Sequence, residues 1–344
     1  MTINLELLKR ITPEMIILLE KRYNILRAVK YHQPIGRRLL SERLKIGERI
    51  VRSEVDILRE QQLLVSDSLG VSLTPEGEVL MPQFAELVHK LQGLSALERY
   101  LQEKMGLERV YIVPGDSDKD KLILSELGKL TGRFISNTVK SGWVVSVTGG
   151  TTMAEVSRQM PLSNEKSDIL VVPARGGLGE SVEIQANTIA AKIAEKLGGS
   201  YRLLYVPDDV SERILEDLLK DHKIQETIAL SKKANLLVHG IGVPEVMAAR
   251  RELNWHSLLK KAAKLPVGES FGYYFSEEGT VEITTPTLGP KLEDLAKLKL
   301  VAAVAGGNSK ARAILAVARA GFINILLTDQ GAGEAMRKIL EEGG

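Results

Sequence analysis

The chain has 344 residues, more than one ordinary hydrophobic core organises, so two domains joined by a connector are expected. It contains no cysteine, which excludes a disulfide framework, a thiolate metal site and a cysteine nucleophile, and suits a reducing, cytoplasmic setting. The formal net charge of +2 conceals an asymmetry: residues 1–65 hold 13 Lys or Arg against 8 Asp or Glu, a net of +5, and the rest hold 33 against 36, a net of −3.

Such a distribution is that of a nucleic-acid-reading head on a slightly acidic body. The amino terminus lacks the cationic start and apolar core of a signal peptide, and no uncharged run of roughly 18 residues is present to span a bilayer. A protein without membrane association is expected.

Thr12-Pro13-Glu14 reads as a helix start, followed by Ile16, Leu19, Tyr23 and Leu26 at helical spacing and stopped by His32-Gln33-Pro34. Ile35 to Leu44, a turn at Lys45-Ile46-Gly47, and a helix from Glu48 to about Glu60 make a helix-turn-helix. With Val51, Val55 and Leu58 assigned to the core, Arg49, Arg52, Ser53, Asp56 and Arg59 fall on the outward face. The opening residues of such a second helix read base edges, with Arg to guanine as the commonest specific contact. Arg37, Arg38, Arg43 and Lys45 are placed for phosphates. Leu63-Leu64-Val65 and Val71-Ser72-Leu73 flank a turn at residues 66–70 and predict a hairpin, hence a winged version of the motif over residues 1–74.

A further helical stretch begins at Thr74-Pro75-Glu76. Leu80, Phe84, Leu87, Leu91, Leu94 and Leu101 follow steps of four and three, so residues 75–105 are expected to form a connector helix. It either pairs subunits or packs on its own domain. From residue 106 the pattern changes to short apolar runs alternating with helices: 110–113, 143–147, 169–173, 202–206, 236–238, 300–305 and 323–327. This predicts an α/β domain over 106–344 with a doubly wound, mostly parallel sheet, and ligands outside the carboxyl ends of its strands.

The chemistry is expected in the loops at those ends. Val144-Val-Ser-Val-Thr-Gly-Gly-Thr-Thr-Met153 is a strand, a Gly-rich turn and a helix start, the means by which bare backbone and free N–H groups hold a phosphate. The loops Ala174-Arg-Gly-Gly-Leu-Gly179, His239-Gly-Ile-Gly242 and Ala305-Gly-Gly-Asn-Ser-Lys310 lie at similar ends, two of them bringing Arg175 and Lys310. Gln185, Asn187, Arg250, Arg251 and Glu269 are further polar candidates; Glu269 suits neutral hydroxyls or an arginine partner rather than a phosphate. His239 reads either as a base or as a hydrogen-bonded structural residue. No Walker or G-x-G-x-x-G pattern precedes a helix, so a phosphorylated sugar rather than a nucleotide is expected.

Several stretches together are more specific: Pro34-Ile-Gly-Arg-Arg38, Gly93-Leu-Ser-Ala-Leu-Glu-Arg99, Pro114-Gly-Asp-Ser-Asp118, Val147-Thr-Gly-Gly-Thr-Thr152, Val172-Pro-Ala-Arg-Gly-Gly-Leu-Gly-Glu180, Gln185-Ala-Asn-Thr188, Val238-His-Gly-Ile-Gly242, Phe271-Gly-Tyr-Tyr-Phe275 and Val304-Ala-Gly-Gly307. With them the chain resembles the SorC group of sugar-responsive transcription factors. The resemblance implies a repressor of a glycolytic operon that binds operator DNA as a homodimer or homotetramer and is induced by fructose 1,6-bisphosphate, with an effector domain similar to sugar-phosphate isomerases and no cofactor. It implies one phosphate on Gly149, Gly150, Thr151 and Thr152 near Lys310, the other met by Arg175, Gln185 and Arg250, and Glu269 on a sugar hydroxyl. The alternative is an isomerase with an added domain, but the loop 238–242 lacks the acidic cluster expected of such enzymes, so no catalytic residue is assigned.

Overall fold

The helix Pro13–His32 (α1) is half-exposed over its first turns and buries Tyr23, Leu26 and their neighbours Ile25 and Val29 further along. Arg37–Leu44 (α2) and Glu48–Glu60 (α3) follow, α3 burying Val51, Val55 and Leu58 as its spacing predicts. Leu64–Ser66 (β1) and Val71–Leu73 (β2) pair antiparallel as the wing. The structure, a computed structural model, describes residues 10–343 except 164, 166, 178–180, 207–211 and 287, and for 212 and 215 the backbone alone. The chain divides after Ser95 into two units, each with its own core.

The connector departs from expectation. Residues 75–105 are two helices, Pro75–Leu91 (α4) and Leu94–Met105 (α5), broken at Gln92-Gly93. The buried positions of α4 are Gly77, Met81, Val88 and Leu91, whereas Leu80 and Phe84 are half-buried and Leu87 is exposed. The reason is α1: Phe84 meets Tyr23 edge-on at 5.5 Å, and Gln92 donates to Glu20 at 2.9 Å, so the face of α4 turned into its own domain keeps Phe84 and Leu91 of the periodic set, adds Met81 and Val88, and leaves Leu87 outside. In the second unit α5 presents Glu98 to the amide of Ile112 at 2.8 Å.

Seven strands make the sheet of the second unit: Arg109–Val113 (β3), Val144–Val147 (β4), Leu170–Pro173 (β5), Ser200–Tyr201 (β6), Leu236–Gly240 (β7), Val301–Val304 (β11) and Ile325–Asp329 (β12). They lie in the order β3-β12-β11-β7-β4-β5-β6, parallel throughout. Runs such as Val301–Val304 and Ile325–Asp329 are buried at every position, because helices cover both faces. The run 202–206 is not a strand: Leu204 exchanges two hydrogen bonds with the side chain of Asn187, and the Val206 carbonyl accepts from Gly177, so their ladder groups are taken. The aromatic run falls in an antiparallel sheet of Gly268–Ser270 (β8), Tyr273–Phe275 (β9) and Val281–Thr284 (β10).

From β4 the chain winds outward to β5 and β6, then returns to place β7 on the other side of β4. The switch in winding therefore lies between β4 and β7, where such sheets open a crevice. Beyond β4 stands the helix Thr151–Gln159 (α7), braced from behind by Lys121–Thr138 (α6). Gly132 and Gly128 allow this contact: a Cβ at Gly132 would lie 2.7 Å from the Cα of Met160, and one at Gly128 3.0 Å from the Glu155 backbone. Buried Glu155 adds an accepted hydrogen bond from Ser125 at 2.6 Å and an ion pair with Arg158. Among the described residues no helix is long and apolar enough to cross a membrane.

Candidate functional site

At the carboxyl ends of β4 and β7 lies a cavity of ≈ 530 Å³, lined by the turn 148–152, Arg175, Arg250, Arg251, Glu269 and Lys310. The turn is shaped by its glycines. A Cβ at Gly149 would stand 2.6 Å from the Ile184 carbonyl oxygen, and Gly150, at φ 112°, holds a backbone conformation that L-residues avoid. Among the described residues no group accepts from the amides of Gly149, Thr151 or Thr152, and no side chain caps α7. The cavity thus receives an uncapped helix start with its free donors and positive dipole end. Gly149→Ala is expected to push the turn off Ile184 and weaken anion binding at least about tenfold; calorimetric titration with the sugar phosphate checks this, and unchanged affinity would show that the turn holds no anion.

Arg250 and Lys310 face the same space, and neither makes an ion pair among the described residues. Burial and, after it, the neighbouring Arg250 hold the Lys310 ammonium below the usual lysine range, while Asp118 and Asp329 act the other way. A lysine disfavoured in its charged form by burial and by a neighbouring guanidinium marks a site short of negative charge. The loop bearing Lys310 contributes through that side chain alone, since its amides are already engaged: Gly307 donates to Asp329 at 2.7 Å and Ser309 to Asp118 at 2.8 Å. Asp329, fully buried, also accepts from Ser117 and Ala332 at 2.9 Å each, tying three segments together.

Glu269 and Arg251 are differently occupied. One Glu269 carboxylate oxygen accepts from Arg251 at 2.8 Å and from the Gly272 amide at 2.7 Å, with Arg175 at 3.7 Å. Arg251 also donates to the Tyr274 hydroxyl at 3.1 Å. Both arginines and Glu269 are buried at the cavity wall. Gln185 is not among the described lining residues; its side-chain oxygen faces Gly177, and its neighbours Ile184 and Ala186 are what touch the turn at Gly149. Part of the loop 174–179, residues 178–179, lies outside the described residues.

His239 takes the structural role. Its ring is fully buried against Phe271, and its Nδ1 lies 2.9 Å from Ser270 Oγ. Desolvation pushes its pKa down to about 4, so it stays neutral where the unfolded chain's imidazole titrates near 6.5. The unfolded state then binds more protons between those two values, and stability falls as pH drops through that window. A His239→Gln protein is expected to show a shallower fall in melting temperature between about pH 6.5 and 4 than the unaltered protein, read by thermal unfolding across that range.

On the first unit, Arg38, Arg43, Lys45, Arg49, Arg52, Ser53 and Arg59 are exposed and Arg37 is half-buried. Carboxylates hold several of them: Asp56 lies 3.3 Å from Arg37 and 3.6 Å from Arg59, Glu48 3.7 Å from Arg52, and Glu42 3.2 Å from Arg38. Buried Glu54, met by Lys21 at 2.6 Å and Arg22 at 2.8 Å, fixes α3 to α1 on the opposite side. The pairs of Arg38 with Glu42, Arg52 with Glu48 and Arg59 with Asp56 follow helical spacing and are legible in the sequence, whereas Arg37 with Asp56 and the Glu54 pairs join different helices and carry no local signal.

Known proteins share both parts. A family model for the CggR N-terminal DNA-binding domain matches residues 18–88, and one for a sugar-binding domain matches residues 89–338. The chain belongs to the SorC family of transcriptional regulators. It is 42% identical to the central glycolytic genes regulator of Priestia megaterium over 96% of this chain and 97% of that one, and 38% identical to that of Bacillus subtilis over 95% and 96%. Among solved structures, a SorC family transcriptional regulator from Enterococcus faecalis superposes with a TM-score of 0.64 at 39% identity, covering 70% of this regulator and 99% of that chain. The full-length sorbitol operon regulator of Klebsiella pneumoniae, at 16% identity and a TM-score of 0.65 over 93% and 98%, shares the fold.

Proposed function

We propose that this regulator represses a glycolytic operon in the cytoplasm, as a homodimer or homotetramer on operator DNA, and releases it when fructose 1,6-bisphosphate fills the cavity. The observation that carries this reading is the meeting of Arg250, Lys310 and the uncapped start of α7 in one space. Several cations and free amides around one cavity call for an anion with more than one phosphate, and the cavity volume suits a small sugar. The names of the Priestia and Bacillus relatives supply the glycolytic setting. In this reading the turn 149–152 and Lys310 hold one phosphate and Arg250 and Arg175 hold the other, with Gln185 assigned to it by the family resemblance alone. Glu269 and Arg251 set the charge of the wall between them.

The sugar acts by binding one arrangement of the oligomer better than another, so that it shifts their populations. Fluorescence anisotropy of labelled operator DNA, with and without fructose 1,6-bisphosphate, tests this: the sugar should release the DNA where fructose does not. Operator affinity indifferent to the bisphosphate would end the reading. An isomerase reading is weaker, because Glu269, the carboxylate best placed for proton shuttling, is bound to Arg251, Arg175 and the Gly272 amide. Turnover above background in a coupled isomerisation assay would restore it.

A further inference from the structure

From Gln61 to Thr74 the wing contains no lysine or arginine and one carboxylate, Asp67. It exposes Val65 and Leu69 instead. A hairpin without a cation has no charge to set against phosphates, so the charged contacts with DNA fall to α2 and α3. On those helices Arg37, Arg38, Arg52 and Arg59 lie beside carboxylates, whereas Arg43, Lys45 and Arg49 make no ion pair among the described residues. Arg49 is followed by Ile50, which is 48% exposed, while Val51 next to it is fully buried. The opening turn of α3 therefore offers, at adjacent exposed positions about 100° apart around the helix axis, a guanidinium with no ion pair among the described residues and a large aliphatic side chain.

The opening turn of a helix in this position is the part that meets base edges. A guanidinium there matches guanine O6 and N7, and the one apolar group on a major-groove base edge is the thymine C5 methyl. We infer that α3 reads a guanine and a thymine in neighbouring base pairs, Arg49 donating to the guanine and Ile50 packing on the thymine methyl. The inference rests on α3 being the DNA-reading helix, and adds which bases it recognises.

The test begins with an operator duplex selected by the unaltered protein from a randomised library. Each thymine is then replaced singly by deoxyuridine, which removes the methyl and leaves the hydrogen-bonding groups in place. At one thymine in each half-site the replacement should weaken binding about fourfold. Ile50→Ala should bind the thymine duplex more weakly by a similar factor and be indifferent to deoxyuridine at that position, and Ile50→Val should keep a smaller preference. Replacing the adjacent guanine by 7-deazaguanine should weaken the unaltered protein but not Arg49→Ala. Indifference of the unaltered protein to every deoxyuridine, or a full methyl preference in Ile50→Ala, overturns the inference and leaves the DNA-reading role of α3 standing. Failure to select any duplex overturns both.

Discussion

Removing both cavity cations, in an Arg250→Ala, Lys310→Met protein, should weaken fructose 1,6-bisphosphate binding by about a hundredfold to ten-thousandfold. Each charged hydrogen bond to a phosphate is worth about 1.5 to 3 kcal/mol, and the two act on one ligand. Calorimetric titration reads the loss. Operator affinity without sugar should remain that of the unaltered protein, so the variant should stay on DNA at sugar concentrations that clear the parent. The melting temperature of the ligand-free variant should not fall, because Arg250 already opposes the charge on Lys310. A variant that still responds to the bisphosphate would place the phosphates elsewhere.

The second large effect is expected at Glu269. Glu269→Ala leaves Arg175 and Arg251 at 8% and 5% exposure with no carboxylate from this residue, and strands the Gly272 amide that it now satisfies. Breaking one partner out of a buried charged group costs about 3 to 5 kcal/mol, readable as a lower urea midpoint with an unchanged slope. Glu269→Gln keeps an acceptor for Gly272 and should cost less. Inorganic phosphate should restore part of the lost stability in Glu269→Ala, by entering beside the two arginines. An alanine variant as stable as the parent would mean that the carboxylate offsets no more than its own desolvation.

The sequence reveals most where local pattern and tertiary role coincide. The turn at residues 148–152 is legible because a β-branched run ends abruptly in two glycines and two threonines. Arg250 and Arg251 are indistinguishable by type or position, yet one faces open space and its neighbour is spent on Glu269 and Tyr274. Consecutive residues near a helix end point about 100° apart, and only the packing of β8 and β9 decides which is which. The periodic stripe of Leu80, Phe84 and Leu87 gives a helix without saying which side α1 will cover. Asp329 gives no local sign that its carboxylate gathers amides from residues 117, 307 and 332. In the apolar run 202–206 the competing partner, Asn187, lies 17 residues away from Leu204.

The bracing of α7 by Gly128 and Gly132 has an energetic consequence. Because α6 touches the backbone of Glu155 and Met160 directly, the donors at the other end of α7 are fixed before any ligand arrives. Capture then requires little reorganisation, and the entropy of ordering the cradle is spent once, during folding, rather than at each binding event.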